Sequence, residues 1–92
     1  MTKADIVNQI AEAVGLTKTD TAAVVEGFLF SVSSALQRGE RVEIRGFGTF
    51  KVVTRASRTG RNPKTGEVVK ISERSVPVFK PSRELRSGVE EV

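Results

Sequence analysis

Gly60-Arg61-Asn62-Pro63-Lys64-Thr65-Gly66 is the stretch on which the fold turns. Two glycines and an Asn-Pro step within seven residues punctuate the chain, because proline fixes φ and lacks an N–H while glycine admits the conformations a turn needs. On both sides the hydrophobic pattern has the period of a strand. Upstream, Thr49 to about Ala56 carries Phe50, Val52 and Val53; downstream, residues 67–80 carry Val68, Val69, Ile71, Val76, Val78 and Phe79. The punctuation therefore reads as the tip of a β-hairpin.

The middle of that hairpin differs from its base. Between Thr54 and Ser75 there is no aromatic residue, and Val68, Val69 and Ile71 are the only large aliphatics. Arg55, Arg58, Arg61, Lys64, Lys70 and Arg74 are spread along it. A two-stranded ribbon of that composition buries little and is marginal in water. It is expected to project as an arm ordered by its ligand; the alternative is a hairpin folded back over the domain with a solvated basic face.

Working outward, Val42 and Ile44 alternate with Arg41, Glu43 and Arg45, which predicts a further strand before the turn Gly46-Phe47-Gly48, whose Phe is expected to plug the core. Earlier still the period becomes helical. Thr2 with Asp5, then Ile6, Ile10, Ala13 and Val14 on one face and Gly15 as stop, predict a first helix. Thr17 with Asp20 starts a longer one running to about Arg38 before Gly39, and so short a link predicts a helical hairpin. On the second helix Val24, Val25, Phe28, Leu29, Val32, Ala35 and Leu36 form an apolar arc of roughly 140°, while Phe30 lies about 100° beyond it. Phe30 is either a solvent-exposed aromatic or covered by a partner subunit; the partner reading is preferred. After Pro81, Ser82 caps a last short helix with Glu84 in its first turn and Leu85 and Val89 one turn apart.

Composition narrows the function classes. The chain has 92 residues, 38% of them hydrophobic, and no Cys, His, Trp or Tyr. Disulfides, thiolate and imidazole metal sites, and His-based acid–base chemistry are thereby excluded. Asp5, Glu12, Asp20 and Glu26 fall at helix starts and faces and form no convergent catalytic set, and Gly46-x-Gly48 is too short for a dinucleotide fingerprint, so no enzyme is expected. A core this thin leaves a lone monomer marginal, which points to self-association. No run approaches the roughly 18 apolar residues of a membrane span, and Met1-Thr2-Lys3-Ala4-Asp5 lacks the apolar segment of a secretory signal, so an intracellular location is expected.

The net charge of +4 hides an uneven distribution. Residues 1–46 carry five bases against six acids, whereas residues 47–86 carry ten bases against Glu67, Glu73 and Glu84. A near-neutral body with a basic element is the pattern of a polyanion binder. Bases spaced along a ribbon suit the phosphates of a duplex, and a ribbon can enter a groove. Pro63 could act as an apolar wedge between base pairs or simply as a turn former after Asn62; both readings are open at this level. A less favoured alternative makes the basic arm an adaptor for a protein or another polyanionic surface; a lipid-binding one would call for a basic amphipathic helix, which residues 54–75 do not offer.

Three strings carry a resemblance: Gly46-Phe47-Gly48-Thr49-Phe50, Arg58 through Gly66, and Val76-Pro77-Val78-Phe79-Lys80-Pro81. Together they resemble the HU and integration host factor family of bacterial histone-like, DNA-bending proteins, over essentially the whole chain. The resemblance implies an α+β fold: a helical hairpin base, a three-stranded antiparallel sheet extended into a long β-ribbon arm, a short C-terminal helix, and an intertwined dimer. It implies one domain over residues 1–92, with a helical dimerisation body at about 1–40, sheet and arm at about 41–80, and the last helix at about 82–90. By the same resemblance Pro63 is the intercalating residue and Arg58, Arg61 and Asn62 lie in the minor groove around it. Arg55, Lys64, Lys70 and Arg74 line the arm, Lys3, Lys80, Arg83 and Arg86 touch phosphates, and Phe47, Phe50 and Phe79 are core or dimer-interface residues. The implied partners are double-stranded DNA and a second copy of the chain, with a related chain as an alternative; no cofactor, metal, small-molecule substrate or membrane is implied. The implied location is cytoplasmic and nucleoid-associated. Two DNA-binding modes stay open, weakly selective bending of the HU kind and the sequence preference of integration host factor. Ser82 departs from the family pattern, standing where many HU members have Gly.

Overall fold

Thr2 opens the first helix through a reciprocal cap. Its hydroxyl accepts the Asp5 N–H at 3.2 Å, and the Asp5 carboxylate accepts the Thr2 N–H at 2.8 Å. In the computed structural model, which describes residues 1–91, helix α1 then spans Lys3–Val14. Gly15, in the left-handed region at φ 72°, donates its N–H to the Ala11 carbonyl and ends the helix. The Thr17 hydroxyl accepts the Asp20 N–H at 3.1 Å and starts helix α2, Lys18–Gln37. Both helices thus begin and end at the predicted signals.

The helical unit, Met1–Ala35, buries less than its sequence suggests. Its buried residues are Val7, Ala11, Thr21 and Ala35. Thr21 can sit there because its hydroxyl donates to the Thr17 carbonyl at 2.8 Å. On α1 Val7 and Ala11 are buried, whereas Ile6, Ile10, Ala13 and Val14, which make the predicted apolar face, are exposed in the single chain. Small side chains line the inside, and the larger apolar groups border it. The same holds on α2, where Val24, Phe28 and Leu29 are exposed and Phe30 most of all, at 74%.

From Leu36 onward the chain forms a second unit. Strands β1 (Val42–Ile44), β2 (Gly48–Arg55) and β5 (Arg74–Pro81) make an antiparallel sheet in the order β1-β2-β5. Strands β3 (Arg58–Arg61) and β4 (Val68–Ile71) form a separate antiparallel pair. The returning strand expected over residues 67–80 is therefore two strands, parted at Ser72 and Glu73, opposite a matching gap at Ala56 and Ser57. Pairing lapses for two positions on each strand, and resumes in unchanged register: Arg55 faces Arg74 below the gap and Arg58 faces Ile71 above it. The short helix α3, Arg83–Glu90, follows β5.

Three phenylalanines hold the base of the sheet. Phe50 and Phe79 are cross-strand partners with ring centroids 4.8 Å apart, and Phe47 joins them at 5.2 Å from Phe79 and 6.4 Å from Phe50. Phe47 is nonetheless 45% exposed, so it lids this cluster and does not plug a sealed core. Gly48 is required beside it: a Cβ there would lie 2.5 Å from the Phe79 ring and 2.6 Å from the Lys80 carbonyl. Among the described residues no helix is long and apolar enough to cross a membrane.

Candidate nucleic-acid interface

The tip of the β3–β4 pair is shaped by its own polar groups. Asn62 N–H donates to the Glu67 carbonyl and Gly66 N–H to the Asn62 carbonyl, each at 2.8 Å. Inside that frame the Asn62 side-chain oxygen accepts the Lys64 N–H at 2.9 Å, and the Thr65 hydroxyl accepts the Glu67 N–H at 3.3 Å. Gly66 takes φ 74°, which closes the turn at no Cβ cost. Pro63 is left exposed at the apex, between Arg61 and Lys64, which are exposed as well. Asn62 is half-buried, its oxygen committed to the turn, and its amide N–H groups face no such commitment.

Below the tip, pairing sorts the cations onto faces. Directly opposed residues share a face and alternate along the strand. Arg61 and Lys70 lie on one face of the pair with Thr59 and Val68, and Arg58 lies on the other with Gly60 and Val69. Where the ladder lapses, a concavity of about 610 Å³ opens, lined by Arg55, Arg58 and Arg74 with Ser72. Three guanidiniums around one hollow, all exposed, form a concentrated positive site.

The sheet extends this surface. In its register Glu43, Thr49 and Lys80 share the face on which Lys51, Arg55 and Arg74 also fall. A groove along it is lined by Arg41, Arg45, Lys51 and Lys80. A second groove, lined by Lys80, Arg83, Arg86 and Glu90, continues onto α3. Arg41, Arg45 and Lys51 were not among the expected contacts. Lys51 carries the signal of strand alternation, falling on the face opposite Phe50 and Val52, while Arg41 and Arg45 flank the two ends of β1. Arg41 is partly neutralised by Glu43, 3.7 Å away. Lys3 lies in the helical unit, where its ammonium pairs with the Glu26 carboxylate across the two helices. In the second unit Arg38 grips Glu40 through two contacts, at 3.3 and 3.2 Å, and this hydrogen bonding and charge hold the Glu40 carboxyl below its ordinary pKa. Among the described residues no group of three or more acidic side chains could hold a metal ion.

Residues 1–90 match the family model described as bacterial DNA-binding protein. The chain belongs to that family. Among curated relatives it is 48% identical to the DNA-binding protein HU of Streptococcus mutans over 87 residues, covering 95% of this chain and 96% of that one. It is 45% identical to the integration host factor subunit alpha of Anaeromyxobacter sp. (strain Fw109-5), covering 97% and 90% of the two chains. Both branches of the resemblance are thus represented at nearly equal identity. Among solved structures, the HU–DNA cocrystal structure from Anabaena matches with a TM-score of 0.90 and 36% identity over 97% of each chain. The family is a DNA-binding one and not an enzyme family, and the α+β architecture of helices, antiparallel sheet and ribbon is its fold.

Proposed function

We propose that this family member is an architectural, nucleoid-associated protein of the cytoplasm that acts as a homodimer, binds duplex DNA through the minor groove with little sequence preference, and bends it. The observation that carries the reading is the tip: an exposed Pro63 held in a turn braced by Asn62 and Thr65 and flanked by Arg61 and Lys64. A wedge can unstack a base step only if it does not fold away under load, and this bracing supplies that stiffness. Asn62 keeps N–H donors for a groove whose floor offers mainly acceptors. Arg58, Arg61, Arg55, Lys64, Lys70 and Arg74 would neutralise phosphates along the arm, and Lys80, Arg83, Arg86 and Lys3 would do so from the rest of the single domain over residues 1–92.

The dimer is supported by what one chain leaves uncovered. Its buried apolar residues are Val7, Ala11 and Ala35, while Phe28, Leu29, Phe30, Phe47 and Phe79 are all more than a third exposed. Two chains would cover these faces and supply two wedges. Bending a site of 20–30 base pairs costs on the order of 1–6 kcal/mol, which phosphate contacts from two arms can exceed.

A duplex titration against salt, with mass measured in the same buffer, tests the whole reading. If about six phosphates are neutralised, affinity falls by roughly five powers of ten per tenfold rise in salt. A dimer mass and that steep dependence are expected; a monomer, or a flat salt response, would sink it. The near-equal identity to integration host factor alpha favours one second reading, sequence-preferring bending of deformable sites. Competition between an A-tract duplex and a random one separates the two modes: equal displacement supports the weakly selective one.

A further inference from the structure

Ser82 sits where the two basic grooves of the sheet unit meet, since Lys80 and Pro81 line both. Its hydroxyl does two things at once. It accepts the Leu85 N–H at 3.1 Å, capping α3, and it donates to the Gly46 carbonyl at 2.9 Å. Its backbone N–H also donates to the Phe47 carbonyl at 2.8 Å. The turn that carries Arg45 is therefore tied to the N-cap of α3 by two adjacent bonds, and a pair of bonds removes the rotation that a single one would allow. A cap needs only an acceptor; the proton given to Gly46 is surplus to capping and needs its own account.

We propose that Ser82 is a positioning residue: it fixes the Arg45 turn against the start of α3, so that Arg45 and the pair Arg83 and Arg86 meet one duplex as a single phosphate-binding surface. This rests on the proposed reading that the grooves face DNA. Without the tether Arg45 still carries its charge, but its placement relative to Arg83 and Arg86 must be ordered during binding, and that cost weakens the complex.

The two roles of the hydroxyl are separable by substitution. Ser82→Thr keeps both bonds. Ser82→Gly removes the hydroxyl bond to Gly46, leaves the backbone bond to Phe47, and caps a helix nearly as well as serine. Ser82→Asp caps and has no proton to donate. Duplex affinity is measured against salt for each, alone and combined with Arg45→Gln, with thermal melts at equal protein concentration as the folding control. Ser82→Thr is expected to bind within about twofold of the parent. Ser82→Gly is expected to lose roughly five- to tenfold, with a salt slope shallower by about one. In the Gly and Asp backgrounds Arg45→Gln should cost less than half of what it costs in the parent, which is the signature of coupled residues. Should Ser82→Gly fail to fold, the coupling measured in the Asp background decides. Equal slopes for parent and Ser82→Gly, or an Arg45→Gln effect of the same size in every background, would overturn the proposal. A flat salt response of the parent itself would instead overturn the function proposed above, so the two failures are distinguishable.

Discussion

The side-chain oxygen of Asn62 accepts the backbone N–H of Lys64 at 2.9 Å, bridging directly over Pro63. The residue expected to meet DNA is also the brace of the residue expected to enter it. Asn62→Ala removes one hydrogen bond, worth about 1 kcal/mol net, and with it the stiffness of the apex. Duplex affinity is expected to fall about fivefold and the bend to become smaller and more heterogeneous, read as a broadened end-to-end energy-transfer distribution on a labelled duplex.

Pro63→Ala isolates the wedge from its brace. Binding should persist, because charge supplies most of the affinity, while the mean bend shrinks. An unchanged energy-transfer change on binding would remove Pro63 from the mechanism.

The Lys3–Glu26 pair sets Lys3 apart from the other expected phosphate contacts, since its charge is already engaged. Both side chains are more than half exposed, so the pair adds little to stability, and Glu26→Gln should leave the melting temperature nearly unchanged. The same change frees Lys3, and the salt slope of DNA binding should steepen by up to about one phosphate contact. Adding Lys3→Gln should reverse the gain; no response to either change would exclude Lys3 from the interface.

Gly46 and Gly48 flank the same phenylalanine for different reasons. Gly48→Ala drives a methyl into the Phe79 ring and the Lys80 carbonyl and should destabilise by about 1–3 kcal/mol or more. Gly46→Ala meets open space but retains φ 81°, which costs about 1–2 kcal/mol through the backbone alone. Urea melts at equal protein concentration check both, with the larger loss expected at Gly48.

Glu40 gives the acid side a marker. Its carboxyl is held below the ordinary value by Arg38, so its folded pKa lies under its unfolded one. The contribution is therefore fully present at neutral pH and is lost as pH falls through the folded value. Titration of the Glu40 carboxyl by carbon NMR should show the depressed midpoint, and Arg38→Gln should return it to the ordinary range.

Local signals told the boundaries of the first two helices faithfully. Thr2, Gly15, Thr17 and Gly39 act through bonds within a few residues, so their reading needs no tertiary context. The apolar face of α1 at Ile6 and Ile10 is legible in the sequence, and in a single chain it stands exposed while Val7 and Ala11 are enclosed. The gap at Ala56-Ser57 and Ser72-Glu73 left no mark in the period-two pattern, since the register is the same on both sides of it. Arg41, Arg45 and Lys51 lie off the arm, so charge density along the arm does not point to them; strand alternation places Lys51, and only the fold brings Arg41 and Arg45 beside it. The double bond-making of Ser82 depends on a partner 36 residues away and is beyond any local reading.

That silent gap has a consequence for how the arm can vary. Because both strands skip the same number of residues, the outer pair is in phase with the inner sheet, like two stretches of one zip with a few teeth missing between them. Residues added or removed two at a time on each strand, opposite one another, would change the reach of Pro63 while leaving its cations on their present sides. A single residue inserted on one strand alone would shift the pairing by one and send Arg58 and Arg61 to the wrong sides of the ribbon. Arm length is thus free to change only in matched steps of two residues per strand, which makes reach a quantised property of this molecule and the phase of its charges a fixed one.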